Sequence, residues 1–144
     1  MSAFPVLAQV VLDTTDPRRL AEFYREFLGY HYRPGDEKPP DGTDDERGRD
    51  WVVLCTPDGN RAMAFQHVDR LKETTWPDDD VPQQMHLDVV VPDKEELNRQ
   101  NDRALRLGAT VRLDRFDDEE EPLRVYTDPG GHLFCVFVGS AGPF

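Results

Sequence analysis

His86 and Asp88 stand two residues apart in the run 86–91, a spacing that puts both side chains on one face of an extended strand. An imidazole beside a carboxylate can take up and return a proton near neutral pH, so acid–base work is one reading of the pair. The other is that Asp88 is paired with an arginine, because a lone buried carboxylate is costly. Cys135 would be a nucleophile if it lay beside His86 across a sheet, and an inert core thiol if its neighbours Phe134, Val136 and Phe137 define its surroundings. Trp51, Trp76, Phe65 and Phe134 are the aromatic candidates for walls around a flat ligand, or else core. His31, His67 and His132 read as structural or exposed. The sequence has no phosphate-cradling glycine loop, no CxxC, no defensible Ser–His–Asp order and no basic stripe.

The elements that must position these residues come as an internal echo. Residues 9–13 read as a strand, Asp16-Pro17 as an N-cap with proline at the first helical position, and Leu20, Phe23, Tyr24, Phe27 and Leu28 as one helical face ending at Gly29. The second half repeats this with a strand at 86–91, Asp93 and Glu96 as a capping box, Leu97, Ala104 and Leu105, and then Gly108. Strands at 51–54 and 123–126 follow, each leading into a turn, Thr56-Pro57-Asp58-Gly59 or Asp128-Pro129-Gly130-Gly131, and then into strands at 62–68 and 133–138. Each half is therefore strand, helix, then two or three strands. One sheet face serves the helix, and the spare faces of two such units placed edge to edge would form a cup. Alternation assigns Val10 and Leu12 to the helix face of the first half and leaves Gln9, Val11 and Asp13 for the cup. In the second half Leu87, Val89 and Val91 take the helix face and leave His86, Asp88 and Val90.

At 144 residues the chain is one domain or two small repeats sharing a core, with no room for a second catalytic domain. Its net charge of −12 argues against nucleic acid and anionic membrane surfaces as partners. The excess is local: residues 36–50 hold seven acids and three bases, 78–80 three acids and 117–121 five acids. These runs are either solvated loops or a field that draws a cationic ligand toward a pocket. The segment 35–50, rich in Pro, Gly and acid, is a disordered excursion or a lid over the cup. No apolar stretch is long enough for a membrane span, and Met1–Leu12 lacks the basic start and apolar run of a secretory leader, so a cytoplasmic location with Cys55 and Cys135 reduced is expected.

The ordered series Leu12 to Asp16-Pro17, Leu20-Ala21-Glu22-Phe23-Tyr24 to Gly29, His86-Leu87-Asp88 with Pro92-Asp93, Leu107-Gly108-Ala109 and Asp128-Pro129-Gly130-Gly131-His132 resembles the vicinal oxygen chelate superfamily of glyoxalases, bleomycin-resistance proteins and extradiol dioxygenases. The resemblance implies an α+β fold over residues 1–144, with two βαβββ modules at 5–70 and 83–140, a cup-shaped mixed sheet with the helices outside, and a homodimer. It also implies metal-ligand positions at Gln9 and His86, seven residues before each helix-capping Asp, and at Cys135, where metal-dependent members carry a Glu. The fourth falls at Gln66, with Phe65 or His67 if the register slips by one. Two amides, an imidazole and a thiol give no carboxylate to a divalent ion, so neither a metal nor another cofactor is expected. The leading expectation is a protein that holds a small organic molecule, cationic on the charge argument, against Gln9, Trp51, Gln66, His86, Asp88 and Cys135, in the manner of a sequestering or resistance protein of the bleomycin-binding kind. The alternatives are a metal-dependent lyase, isomerase or dioxygenase of the same superfamily, and a module whose acidic loops dock a basic protein.

Overall fold

The computed structural model describes residues 4–140, so the first three positions of the Met1–Leu12 reading lie outside the described residues. Among the described residues no helix is long and apolar enough to cross a membrane. The chain divides into two compact units, Met1–Leu71 and Lys72–Phe144, each with a four-stranded mixed sheet and one long helix.

The first unit contains β1 (Val10–Thr14), α1 (Pro17–Leu28), β2 (His31–Tyr32), β3 (Trp51–Cys55) and β4 (Arg61–His67), in the sheet order β1-β4-β3-β2. The helix begins where the sequence places it: the Asp16 carboxylate accepts from the Arg19 N–H at 3.1 Å, and Pro17 occupies the first turn, where a missing N–H costs nothing. It ends at Gly29, whose φ of +70° is open to glycine at no steric cost. Its apolar stripe of Leu20, Phe23, Tyr24 and Phe27 is buried, and Tyr24 stacks on Phe65 of β4 at 5.9 Å. Such a ring pair adds about 0.5–1.5 kcal/mol to the area it buries.

The segment 35–50 is folded, which corrects the disordered reading, and it packs against α1. Two of its carboxylates, those of Asp36 and Asp45, are internal partners. The Asp36 carboxylate, 1% exposed, accepts from the Val53 N–H of β3 at 2.9 Å, satisfying an edge group that the two-residue β2 stops short of pairing. Arg33 meets the same carboxylate at 2.9 Å. The buried Arg18 of α1 donates to the Asp36 carbonyl at 2.7 Å and through Nε to Asp45 at 2.8 Å, while its guanidinium lies 4.8 Å from the centre of the Tyr32 ring. A single 3₁₀ turn, Arg47–Arg49, closes the strap.

The second unit contains β5 (Leu87–Val91), α2 (Lys94–Arg106), β6 (Thr110–Arg115), β7 (Leu123–Thr127) and β8 (Leu133–Val138), in the order β5-β8-β7-β6. Asp93 caps α2 by accepting from the Glu96 N–H at 2.8 Å. The reciprocal half of the expected capping box is replaced, because the Glu96 carboxylate turns to Arg99 at 2.7 Å and to Gln100. Leu97 and Ala104 are buried as expected, whereas Leu105 is exposed, so α2 presents a narrower apolar stripe than α1.

Replacing Asp36 with alanine leaves the Val53 N–H unsatisfied and is expected to cost about 1–3 kcal/mol in urea unfolding at neutral pH. A loss within experimental error would show that the strap is not anchored there. The Arg18 hydrogen bond, opposed by partial burial and helped by the Gly48 N–H, holds the Asp45 carboxyl below its usual range. Its stabilising contribution is therefore present above the ordinary carboxylate pKa of about 3.9 and is lost as pH falls through the lowered folded value. Asp45→Asn should lie below the parent in urea midpoint at pH 6 and converge on it near pH 2.

Candidate functional site

The inward row of the second sheet is fixed by aromatic packing. Tyr126 and Phe134 stack at 5.0 Å, and the Tyr126 hydroxyl donates to Asn101 of α2 at 2.8 Å, so this pair of register partners marks the helix face. Alternation then puts the rows Asp88–Cys135–Val125–Leu113 and Val90–Phe137–Leu123–Arg115 on the opposite face. An open cavity of about 350 Å³ lies there. Cys135, Val125, Leu113, Leu123 and Phe137 border it from the sheet, with His86 and Asp88 at β5, Arg115 at β6 and Glu121 just before β7, while Trp76 and Gln83 reach it from the loop before β5.

Within it His86 Nε2 lies 3.3 Å from Asp88 Oδ1, both side chains about half exposed. The imidazole–carboxylate pair is thus what forms, in place of the expected pairing of Asp88 with an arginine. The contact turns Nε2 of the ring toward the Asp88 carboxylate. Cys135 stands opposite Asp88 in register, where the sequence reading had it beside His86. Burial first, and then the charges of Asp88 and Glu121, push its thiol up to about 11, so it is protonated at neutral pH and is no ready nucleophile. Arg115 is committed to Asp118 at 2.6 Å, and that hydrogen bond, with the Glu121 and Glu120 amides, holds the Asp118 carboxyl down to about 2. Glu121 is 4.0 Å from the same arginine.

The other candidate residues lie on the first unit. Trp51, Gln66 and Asp13 form one cross-strand row, on the face opposite the row Leu12–Phe65–Val52. Phe65, fully buried against Tyr24, is core and is excluded both as a wall and as a slipped ligand position. Phe134 borders the second-unit cavity, but its ring belongs to the Tyr126 stack. Gln9, one residue before β1, has a buried Oε1 without a hydrogen-bond partner among the described residues. His67 closes β4 exposed, and His31 opens β2 with its Nδ1 3.3 Å from the Tyr32 carbonyl.

As metal donors, the implied positions fit poorly. Gln9 and Gln66 offer neutral amide oxygens, Cys135 is held as a thiol, and His86 has its Nε2 turned to Asp88. Among the described residues no group of three or more His, Cys, Asp or Glu side chains is placed to hold a metal ion. The donors do not suit a catalytic divalent ion.

Glu121, Leu113 and Arg115 were missed as cavity residues in the sequence. Glu121 is hidden in the acidic run 117–121, and its only signal is that it precedes Leu123 by two positions. Leu113 and Arg115 alternate correctly, but β6 carries a bulge between Val111 and Leu113 that hides the strand's period.

Cys135 is expected to react with iodoacetamide at neutral pH about 100-fold more slowly than an unperturbed cysteine, the change in thiolate fraction that two pKa units imply. Asp88→Asn removes one of the charges holding the proton on and should speed the reaction. Alkylation at the free-cysteine rate, read by mass spectrometry of the Cys135 peptide, would contradict this account.

Comparison with known proteins agrees with the fold. A family described as a glyoxalase-like domain matches residues 9–137. Among solved structures, a possible glyoxalase from Bacillus cereus superposes with a TM-score of 0.61 at 17% identity, covering 92% of this chain and 97% of that one. The fosfomycin resistance protein FosX from Mesorhizobium loti gives 0.64 at 14% identity, with 96% and 95% covered. FosX from Listeria monocytogenes, in its hexagonal form, gives 0.65 at 16%, with 96% of each chain covered. A curated sequence, an endo-1,4-beta-xylanase/feruloyl esterase from Xylanibacter ruminicola, is 29% identical over 79 residues, or 55% of this chain; the match spans only 10% of that protein. With the paired βαβββ units and the family match over nearly its whole length, the chain belongs to the glyoxalase-like, or vicinal oxygen chelate, family.

Proposed function

We propose that this protein binds a small organic cation in the cavity of the second unit and holds it without a catalytic metal, as a sequestering protein does. The observation that carries the reading is the distribution of charge around an apolar floor. Cys135, Val125, Leu123 and Phe137 supply apolar surface, Trp76 an aromatic wall, and Asp88 and Glu121 carboxylates, whereas the one cation at the rim, Arg115, is neutralised by Asp118. Sites of this kind, mostly apolar with a few placed polar groups, suit drug-sized ligands, and 350 Å³ falls at the small end of their range. A positively charged ring over an aromatic face and beside a carboxylate gains from both. The acidic runs add a long-range field of the same sign, which raises the local concentration of cations at low salt. Solved neighbours described as fosfomycin resistance proteins make a protective role a sensible setting for such binding.

Titration with the planar cation proflavine, against the anionic dye fluorescein, tests the reading. Saturable proflavine binding that weakens with added salt is expected, with Asp88→Asn and Glu121→Gln each lowering affinity about threefold. Equal or tighter binding of fluorescein would overturn the charge argument. A stoichiometric transition metal in gently purified protein, lost in His86→Ala, would favour the metal-dependent enzyme instead.

A further inference from the structure

The cavity has one wall that the sheet does not supply. Trp76 lies in the long connection between β4 and β5, in a stretch without regular secondary structure that belongs to the second unit. Connections of that length inside a compact domain need their own means of support. Part of it is internal. Thr74 Oγ1 donates to the Val81 carbonyl at 2.8 Å and accepts from the Trp76 N–H at 3.1 Å, while the Val81 N–H donates to Thr75 Oγ1 at 2.9 Å. These bonds tie residues 74–81 into a closed ring. They do not attach the ring to the sheet.

Two contacts do so. The Glu73 stem lies over Gly131 of the β7–β8 turn, where a side-chain carbon would come within 2.9 Å of Glu73 Cγ. The other contact is Arg112, whose Nη2 donates to the Trp76 carbonyl at 2.6 Å across 36 positions of sequence. Arg112 is the residue inserted at the β6 bulge, between Val111, opposite Tyr126, and Leu113, opposite Val125. A bulge re-aims the side chain it carries. Here it frees an arginine from the ladder row while Leu113 keeps its place on the cavity floor. The guanidinium forms no ion pair among the described residues, although the chain carries an excess of twelve acids; its bond to a neutral carbonyl is what its position supplies.

We propose that Arg112 is a positioning residue for this cavity: from the β6 bulge it pins the carbonyl of Trp76 and so sets the indole wall against which a ligand packs, without touching the ligand itself. The proposal rests on the reading of the cavity as the binding site. A charge-assisted hydrogen bond to a carbonyl is among the stronger single contacts available at a partly exposed position. Its loss leaves the bonds within 74–81 intact but removes this tie to β6, so the tryptophan samples positions away from the floor. The expected consequence is a weaker ligand complex on an unchanged fold.

Two arms test this. In a Trp51→Phe background Trp76 is the sole tryptophan, and Arg112→Met is expected to shift its emission to the red and to raise its acrylamide quenching, with Arg112→Lys, which keeps a charged donor of shorter reach, falling between. In the chain with both tryptophans, Arg112→Met should weaken proflavine binding about tenfold, as expected for the loss of one charged hydrogen bond, while circular dichroism and the melting midpoint stay near those of the parent. Arg112→Gln, a neutral donor of similar bulk, serves if the methionine variant folds poorly, and should resemble it in both arms. Unchanged emission and quenching in folded Arg112 variants would overturn the proposal, as would altered fluorescence with undiminished affinity. Should proflavine fail to bind the parent protein, the cavity reading itself falls and Arg112 loses its role in binding with it, whereas the quenching arm still reports whether the arginine holds the loop.

Discussion

The Tyr126–Phe134 stack under α2 is the contact on which the second unit's chemistry depends. Once those rings take the helix face, the period of two in β7 and β8 leaves Val125, Cys135 and Phe137 no choice of side, and the parallel register of β5 with β8 carries the choice to Asp88. A slip of one residue would bury Asp88 and Cys135 beneath α2 and turn an aromatic pair toward the cavity. The cost of that exchange, two rings exposed and a carboxylate desolvated, makes the placement of the polar groups a by-product of core packing. The first unit follows the same logic through Tyr24 on Phe65, which sends Gln66 and Trp51 to the other face.

The two units repeat a plan with unequal means. Each buries one arginine against an aromatic ring and beside an aspartate: Arg18 over Tyr32 with Asp45, and Arg124 over Phe116 with Asp114. In the first unit α1 brings a full apolar stripe, and the strap 35–50 wraps its N-terminal end. In the second, α2 buries little beyond Leu97 and Ala104, and the β6–β7 connection is short and meets the helix start through Lys94, whose ammonium lies 5.1 Å from the centre of the Phe116 ring. The second sheet's free face accordingly gains its cover from the 72–86 loop, and that is where Trp76 enters the cavity.

Much of the fold was legible because it rests on local signals. Asp16-Pro17, Gly29, Asp93 and the paired turns ending at Gly59 and Gly131 mark boundaries through backbone chemistry that a few neighbouring residues decide. His86 and Asp88 were legible as a same-face pair for the same reason. What composition suggested at 35–50 failed because counting acids treats each as solvated, whereas Asp36 and Asp45 are spent on Arg18, Arg33 and the Val53 amide. Cys135 was placed on the correct strand but beside the wrong partner, since cross-strand register is set by pairings far apart in sequence. Arg112 gave no signal: a bulge breaks the alternation that would have identified β6, and its partner is a backbone carbonyl, which no side-chain pattern reveals.

The sign of the cavity follows from how its charges are already used. Arg115 faces Asp118 and, farther away, Glu121, so its positive charge is offset before any ligand arrives, while among the described residues Asp88 pairs with the His86 imidazole and with no arginine or lysine. Cys135 is raised first by its burial and only then by the charges of Asp88 and Glu121, so these carboxylates add to a thiol that already resists losing its proton. An anionic ligand would meet the same field that opposes the thiolate, and a cation would relieve it. The same surroundings disfavour the thiolate that covalent capture at Cys135 would need. On the proposed reading, recognition rests on shape and charge against an indole wall, and a residue that holds such a wall in place then matters as much as the residues that touch the ligand.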